Sequence, residues 1–239
     1  MALPKLQTSE YTLTVPSTQE EIKFRPFLVK EQKILMIAQE SGDESQIASA
    51  VGQLVDGCTF GSIDANLSPM FDVEYVFLQL RAKSVGSKIT LNVTCPDDNE
   101  TQVEVEVNVD DIQVQMSLEH SQDIEITDNI SIHFRYPRLK DLQGMSDDLS
   151  DFEKTLILVV ECVETIASGE EVINRIDMTQ DEIVEFIDSM NSTQMEDVLK
   201  FFETMPKVRH IIDVVNPKTK RKVRYYWRGL RVFWNRAVP

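Results

Sequence analysis

Three cysteines and three histidines are the side chains best suited to chemistry in this 239-residue chain, and their spacing limits what they can do. Cys58, Cys95 and Cys162 stand far apart without any C-x-x-C pair, which predicts no disulfide framework and no zinc site, and fits reduced thiols. His120, His133 and His210 are equally dispersed, so a catalytic Cys–His pair would need the fold to assemble it. "TCPDDNE" at 94–100 begins like a zinc knuckle, but Asp97, Asp98 and Asn99 fill the space where a second thiol must stand. A hairpin turn with one thiol is expected instead, and Asp98-Asn99 favours it. No phosphate-cradling glycine loop, G-x-S-x-G, H-E-x-x-H or EF-hand pattern occurs. Asp147-Asp148 and Glu170-Glu171 read as solvated helix ends. No catalytic residue, metal, cofactor or small-molecule substrate is expected.

The second chemical signal lies in "KTKRKVRYYWRGLRVFWNR" at 218–236, where Tyr225, Tyr226, Trp227, Phe233 and Trp234 interleave with Arg224, Arg228 and Arg231. Such a stretch has three readings. Its rings can stack on single-stranded bases, it can anchor a protein partner, or it can fold back onto the acidic body. From Lys207 onward there are ten Lys or Arg against one acid, Asp213, so this segment carries +9 and residues 1–206 carry −25. An acidic body repels phosphate backbones, which makes nucleic acid the weakest of the three. The residues expected to bind a partner are Arg224, Tyr226, Trp227, Arg228 and Trp234. "FRPF" at 24–27 is either a second such surface or a strand-to-helix corner.

These residues need elements to position them. Hydrophobic residues at 42% and charged residues at 27% read as a globular chain. The opening "MALPKLQTSEY" shows no signal-peptide pattern, and "TLILVVECV" at 155–163 is too short to span a membrane. Alternation predicts a hairpin from 11–15 and 22–27. Helical spacing follows over 29–40 and 47–58, and a third helix runs from Ser68-Pro69 to Gly86. Period two over 89–94 and 102–109 predicts a one-face-buried antiparallel sheet, extended by 112–116, 124–126 and 130–134. Ser150 with Glu153 starts a helix that the apolar spacing carries to Gly169; Thr179 with Glu182 and Thr193 with Glu196 start two more. "RHIIDVV" and "RKVRYYW" flank "NPKTK" as a basic hairpin, and "GLRVFW" closes the chain as a short helix or plug.

The fold class expected is therefore α+β: an amino-terminal hairpin and helices (1–88), a central antiparallel region (89–140), a helical region (141–206) and a basic aromatic hairpin or tail (207–239).

Five segments in register also resemble one family. "IKFRPFLVKEQKILMIA" at 22–38, "LRAKSVG" at 80–86, Cys95-Pro96, "FFETMPKVRH" at 201–210 and "NPKTK" at 216–220 resemble the baseplate hub assembly proteins of T4-type contractile-tailed bacteriophages. The resemblance implies a late viral protein that acts without catalysis in the host cytoplasm. It would work as a chaperone or scaffold on the baseplate hub proteins of the same phage, or stay in the virion as a hub component. Relatives show C-P-x-C-G where this chain has Cys95, Pro96, Asp97, Asp98 and Asn99, so no metal site is carried over.

Overall fold

The computed structural model describes residues 7–142, 145 and 149–228, and in it the chain forms two units: 1–115 with 207–239, and 116–206. The first unit begins with an antiparallel pair, β1 (Tyr11–Thr14) and β2 (Glu21–Phe24). Pro16 pre-sets the loop between them and Gln19 sits in the left-handed region at φ 59°, so that its N–H donates to the Val15 carbonyl at 2.9 Å. Helix α1 (Val29–Ser41) ends on Gly42 at φ 68°, and Asp43 caps α2 (Glu44–Cys58) by accepting the N–H groups of Ser45 and Gln46. Helix α3 (Met70–Val85) buries Phe71, Val76, Phe77, Leu78 and Leu80, side chains on more than one of its faces, which makes it the centre of this unit's core.

The strands that follow do not build one sheet. β3 (Lys88–Thr94) and β4 (Gln102–Asn108) form a separate hairpin, with Ile89, Leu91 and Val93 buried on one face as the alternation predicts. β5 (Gln113–Gln115) leaves them for another sheet. The expectation that 112–134 extends the β3–β4 sheet is thus overturned. Period two shows which face of a strand is buried but says nothing about its neighbour.

In the second unit β6 (Asp123–Thr127) and β7 (Ile130–Phe134) meet at the Asp128-Asn129 turn. They are followed by α4 (Leu139–Leu142), α5 (Asp151–Cys162), β8 (Val163–Ser168), β9 (Glu171–Asn174), α6 (Gln180–Asp188) and α7 (Ser192–Thr204). The sheet runs β6-β7-β8-β9, antiparallel throughout, and Ile132, Phe134, Val159, Val163, Ile183, Val198, Phe201 and Phe202 share its core. The helix expected to reach Gly169 stops at Cys162, and 163–168 is a strand. A register shift opposite His133 and Phe134 breaks the alternation of β8, so its buried positions Val163 and Ile166 do not read as period two. The capping boxes at Ser150/Glu153 and Thr179/Glu182 form as expected, whereas α7 starts two residues early, on Asn191 with Gln194.

The chain then returns to the first unit as β10 (Lys207–Val215) and β11 (Lys222–Arg228), the expected basic hairpin, in the order β11-β10-β5. Its Asn216-Pro217 loop repeats the first one: Lys220 lies at φ 61° and donates to the Asn216 carbonyl at 2.9 Å. Cys95-Pro96 opens a third loop of this kind, with Asn99 at φ 54° and bonded to the Cys95 carbonyl at 2.9 Å. The second and third loops are fastened together, since Asp97 accepts from Asn216 Nδ2 at 2.8 Å and from the Thr219 hydroxyl. The proposed plug at 229–234 lies outside the described residues. α+β is the fold class, antiparallel in every sheet described.

Candidate functional site

The alternation of β10 sends Val208, Ile212 and Val214 inward and leaves Ile211, Asp213 and Val215 facing outward. In register, Asp213 stands opposite Arg224, Ile211 opposite Tyr226, and Val215 opposite Lys222. The outward face therefore mixes exposed apolar and charged groups: Ile211, Val215 and Tyr226 are 43%, 52% and 54% exposed. Arg224 Nε donates to Asp213 Oδ1 at 3.0 Å, an open pair in which Asp213 and Tyr226 further favour the guanidinium charge. Such an exposed pair orients the arginine more than it stabilises the hairpin. Trp227 lies opposite His210 and Arg228 opposite Arg209 by backbone register. Trp234 falls outside the described residues. The structure thus brings Arg224 and Tyr226 onto one face and gives Trp227 and Arg228 a strand position. Among the described residues β11 pairs with β10 alone.

The thiols and imidazoles serve the core and its edges. Cys58 and Cys162 are fully buried, and burial pushes their thiols up to about 11 and about 12, far from thiolate chemistry at neutral pH. His120 sits between the Thr204 hydroxyl at 2.9 Å and the Tyr136 hydroxyl at 3.2 Å, with its ring against Tyr136 and Phe201. His133 Nδ1 lies 2.7 Å from Asp123 Oδ1. In the 95–101 turn Asp98 accepts the Glu100 and Thr101 N–H groups and the Thr101 hydroxyl, and the hydroxyl bond, the larger influence, holds its carboxyl far below the usual range. That carboxylate stands where a knuckle needs a thiolate, and its acceptor sites are spent on the turn. Among the described residues no three His, Cys, Asp or Glu side chains are grouped to hold a metal ion. A shallow groove of about 370 Å³ is lined by Glu119, Ser121, Asp123, Glu125, Asp197, Lys200 and Thr204, where the Thr204 hydroxyl donates to the Lys200 carbonyl and Lys200 pairs with Asp197.

Sequence reading missed a device that occurs once in each unit. At the end of β2, Phe24 is buried and Arg25 turns the chain into α1. The Arg25 N–H donates to the Cys58 carbonyl at the end of α2 at 3.0 Å, while its guanidinium donates to the Pro26 carbonyl and to Glu31 Oε1 at 2.9 Å. Glu31 Oε2 in turn accepts the Leu28 N–H at 2.8 Å. At the end of β7, Phe134 is buried and Arg135 does the same. Its N–H donates to the Cys162 carbonyl at the end of α5 at 2.9 Å, and its guanidinium to the Tyr136 carbonyl and to both Asp141 oxygens, at 2.6 and 2.9 Å. Asp141 Oδ2 accepts the Arg138 N–H at 2.8 Å. Each arginine thus closes a helix C-terminus, where positive charge is favoured, and pins the N-terminus of another helix through a carboxylate. "FRPF" is therefore a corner with Phe24 and Phe27 buried. The signal available in the sequence was the recurrence of Phe-Arg, a nearby proline and an acid six positions past the arginine.

Another arginine contrasts with both. Arg81 on α3 is 7% exposed and donates to the Gly86 carbonyl at 3.0 Å, but its Nε meets no acceptor among the described residues.

No helix among the described residues is long and apolar enough to cross a membrane. Comparison with curated proteins and with solved structures returns no match. The sequence family described as T4 bacteriophage base plate protein matches residues 8–233, which contain both arginine corners, all three proline-opened loops and the β10–β11 hairpin. The chain belongs to that family of phage baseplate proteins.

Proposed function

We propose that the protein is a non-catalytic assembly chaperone or scaffold for the baseplate hub, binding hub subunits of the same phage in the host cytoplasm while the tail is built. The observation that carries this reading is the outward face of β10–β11. Tyr226, Ile211 and Val215 are exposed there beside Arg224, on a chain whose remaining 206 residues carry −25. Tyrosine and arginine are among the side chains that most often dominate protein interfaces, and the edge of β11 that pairs with no strand among the described residues offers backbone groups to an added strand. The acidic body would steer encounter and orientation. Trp227, Arg228 and Trp234 belong to the same proposed contact. Family membership and the buried state of the thiols support a role in binding rather than bond-making.

Co-expression with individual hub subunits, followed by affinity capture and sizing, tests the proposal. Wild-type protein should retain at least one subunit, and Arg224→Glu/Tyr226→Ala should lose it while melting normally. Undiminished capture by that variant removes the hairpin from the contact. Mass spectrometry of purified particles separates a released chaperone, with no peptides, from a retained hub component, with stoichiometric peptides. A shift assay with single-stranded DNA at low salt should give no complex.

A further inference from the structure

The loop after α2 keeps a costly conformation that packing does not repay. Thr59 caps the helix, and Phe60 takes the next position in the left-handed region at φ 57°. The Gly61 N–H then reaches back to the Asp56 carbonyl at 2.9 Å, the bond that closes such a helix end. Glycine ordinarily fills the place of Phe60, because a side chain there crowds the backbone. Among the described residues three other non-glycine positions are left-handed, Gln19, Asn99 and Lys220, and each closes one of the proline-opened loops. Phe60 belongs to none of them. Its ring is 55% exposed, and Leu67 further along the loop is 53% exposed. The frame that displays them is nonetheless firm. Thr59 is fully buried, with its hydroxyl donating to the Val55 carbonyl at 2.8 Å, and Asp56 Oδ1 accepts the Ala65 N–H at 2.7 Å beside buried Ile63 and Ala65. A bulky residue held in a disfavoured conformation by a firm frame, with its side chain in water, is the pattern of a binding position.

Charge states what would meet the ring. The loop carries two acids, Asp56 and Asp64, and no Lys or Arg occurs from 34 to 80. Burial pushes the Asp56 carboxyl up, the Ala65 N–H works against it, and the charge of Asp64 adds to the rise with no cation to offset it. Asp64 itself accepts only a backbone N–H, from Asn66 at 3.0 Å, among the described residues. Arg25 reaches the Gly57 carbonyl at 3.5 Å, but its guanidinium, like Lys30, is committed to Glu31. The exposed ring therefore shares its loop with two carboxylates that repel each other and lack cations. We propose that Phe60 is an anchor that enters an apolar pocket of a partner protein, with Lys or Arg at the pocket rim meeting Asp56 and Asp64. An anionic membrane is repelled by both carboxylates and by the −25 of residues 1–206. The anchor uses none of the residues of the β10–β11 face. It rests on the proposed function only for the expectation that the partner is a hub subunit.

Full-length protein with photoreactive p-benzoylphenylalanine in place of Phe60, co-expressed with each hub subunit and irradiated, provides the probe. It should cross-link to a hub subunit at a segment that holds Lys or Arg, whereas the same label in place of exposed Ser45 should not. Phe60→Gly, which suits the left-handed backbone, should melt cooperatively near or above the wild-type temperature and weaken capture of that subunit by about tenfold or more. Phe60→Met should retain more of the capture than Phe60→Gly. Asp64→Lys should weaken capture and flatten its dependence on salt. Undiminished capture by Phe60→Gly overturns the inference. So does a melt far below wild type for both variants at position 60, since the ring would then serve the fold. Cross-links that join two copies, or binding to phospholipid vesicles that Phe60→Gly abolishes, overturn it as well. If wild type captures a subunit and position 60 touches none, the anchor falls and the proposed function stands. If wild type captures no subunit, the proposed function falls and irradiation of phage-infected cells decides the anchor: a cross-link from position 60 to another phage protein keeps it, and none removes it.

Discussion

The Arg25 and Arg135 corners solve one problem with different margins. In both, a strand ends on a buried phenylalanine, and the next residue's guanidinium ties the end of one helix to the start of another. Around Arg135 the fit is tight. Asp141 receives the guanidinium through both oxygens with its side chain 2% exposed, and the Glu161 carbonyl accepts from the same guanidinium at 2.7 Å. Around Arg25 the fit is looser. Glu31 offers the arginine one oxygen, Lys30 Nζ shares that oxygen at 3.2 Å, and the Gly57 carbonyl is 3.5 Å away. A bidentate pair fixes both groups in one plane, whereas a shared oxygen can keep one cation when it loses the other. The second unit therefore depends on its arginine more than the first does.

Arg135→Met leaves Asp141 buried without its cation and should cost about 3–5 kcal/mol in denaturant unfolding. Amide exchange should rise first at Arg135, whose N–H is held by Cys162. Arg135→Met/Asp141→Leu should recover most of the loss, because it removes the desolvated charge along with its partner. If the double variant is no more stable than the single one, the ion pair is not what holds the corner.

Arg25→Met should cost less, about 1–3 kcal/mol, because Lys30 stays beside Glu31. A loss equal to that of Arg135→Met would mean the bidentate geometry confers no advantage.

Acid titration separates two buried carboxylates in the first unit. Burial pushes the Glu31 carboxyl up, but bonds from Arg25, Leu28 and Lys30 bring it to a net value below the usual range. Its stabilisation is therefore present above the unfolded glutamate value, about 4.3, and fades as pH falls below it. Asp72 meets no cation among the described residues. Burial raises its carboxyl, and the Ser17 N–H and hydroxyl only partly offset this. Ionised Asp72 costs stability at neutral pH, and the cost lifts as pH falls through its raised value. Denaturation midpoints between neutral and acid pH should thus fall less steeply in Glu31→Gln and more steeply in Asp72→Asn. The opposite order would reverse both assignments.

Arg81→Met should change stability least, by about 1 kcal/mol or less, because the lost bond to Gly86 is offset by removal of an incompletely partnered buried cation. A loss as large as that of Arg135→Met would show that burial alone, without a paired carboxylate, makes these arginines essential.

Much of the fold could be read from residues near one another in the chain. Pro16, Pro96 and Pro217 mark three loops, and Ser150/Glu153 and Thr179/Glu182 mark two helix starts, because each signal acts over a few residues. Strand β8 escaped because Val163 suits a helix face as well as a strand, and the register shift at Phe134 hides its period. The basic hairpin was legible, but that Arg224 and Tyr226 share its outward face comes from the strand register and their exposure, because the sequence reading grouped them with Trp227 and Arg228 regardless of alternation. The exposed face of α1 was not legible. Its spacing reads as amphipathic, and only the position of Arg25 shows that Glu31 belongs inside.

Residue types and short spacings carried most of the elements, the charge contrast between body and tail, and the absence of familiar catalytic patterns. Tertiary structure decided which strand edges meet, that Lys207–Val215 pairs with Gln113–Gln115, and which carboxylate each half-buried corner arginine takes. The physical reason is that a hydrogen-bonding edge or a desolvated charge accepts many partners of the right type. Only packing of the whole chain selects among them.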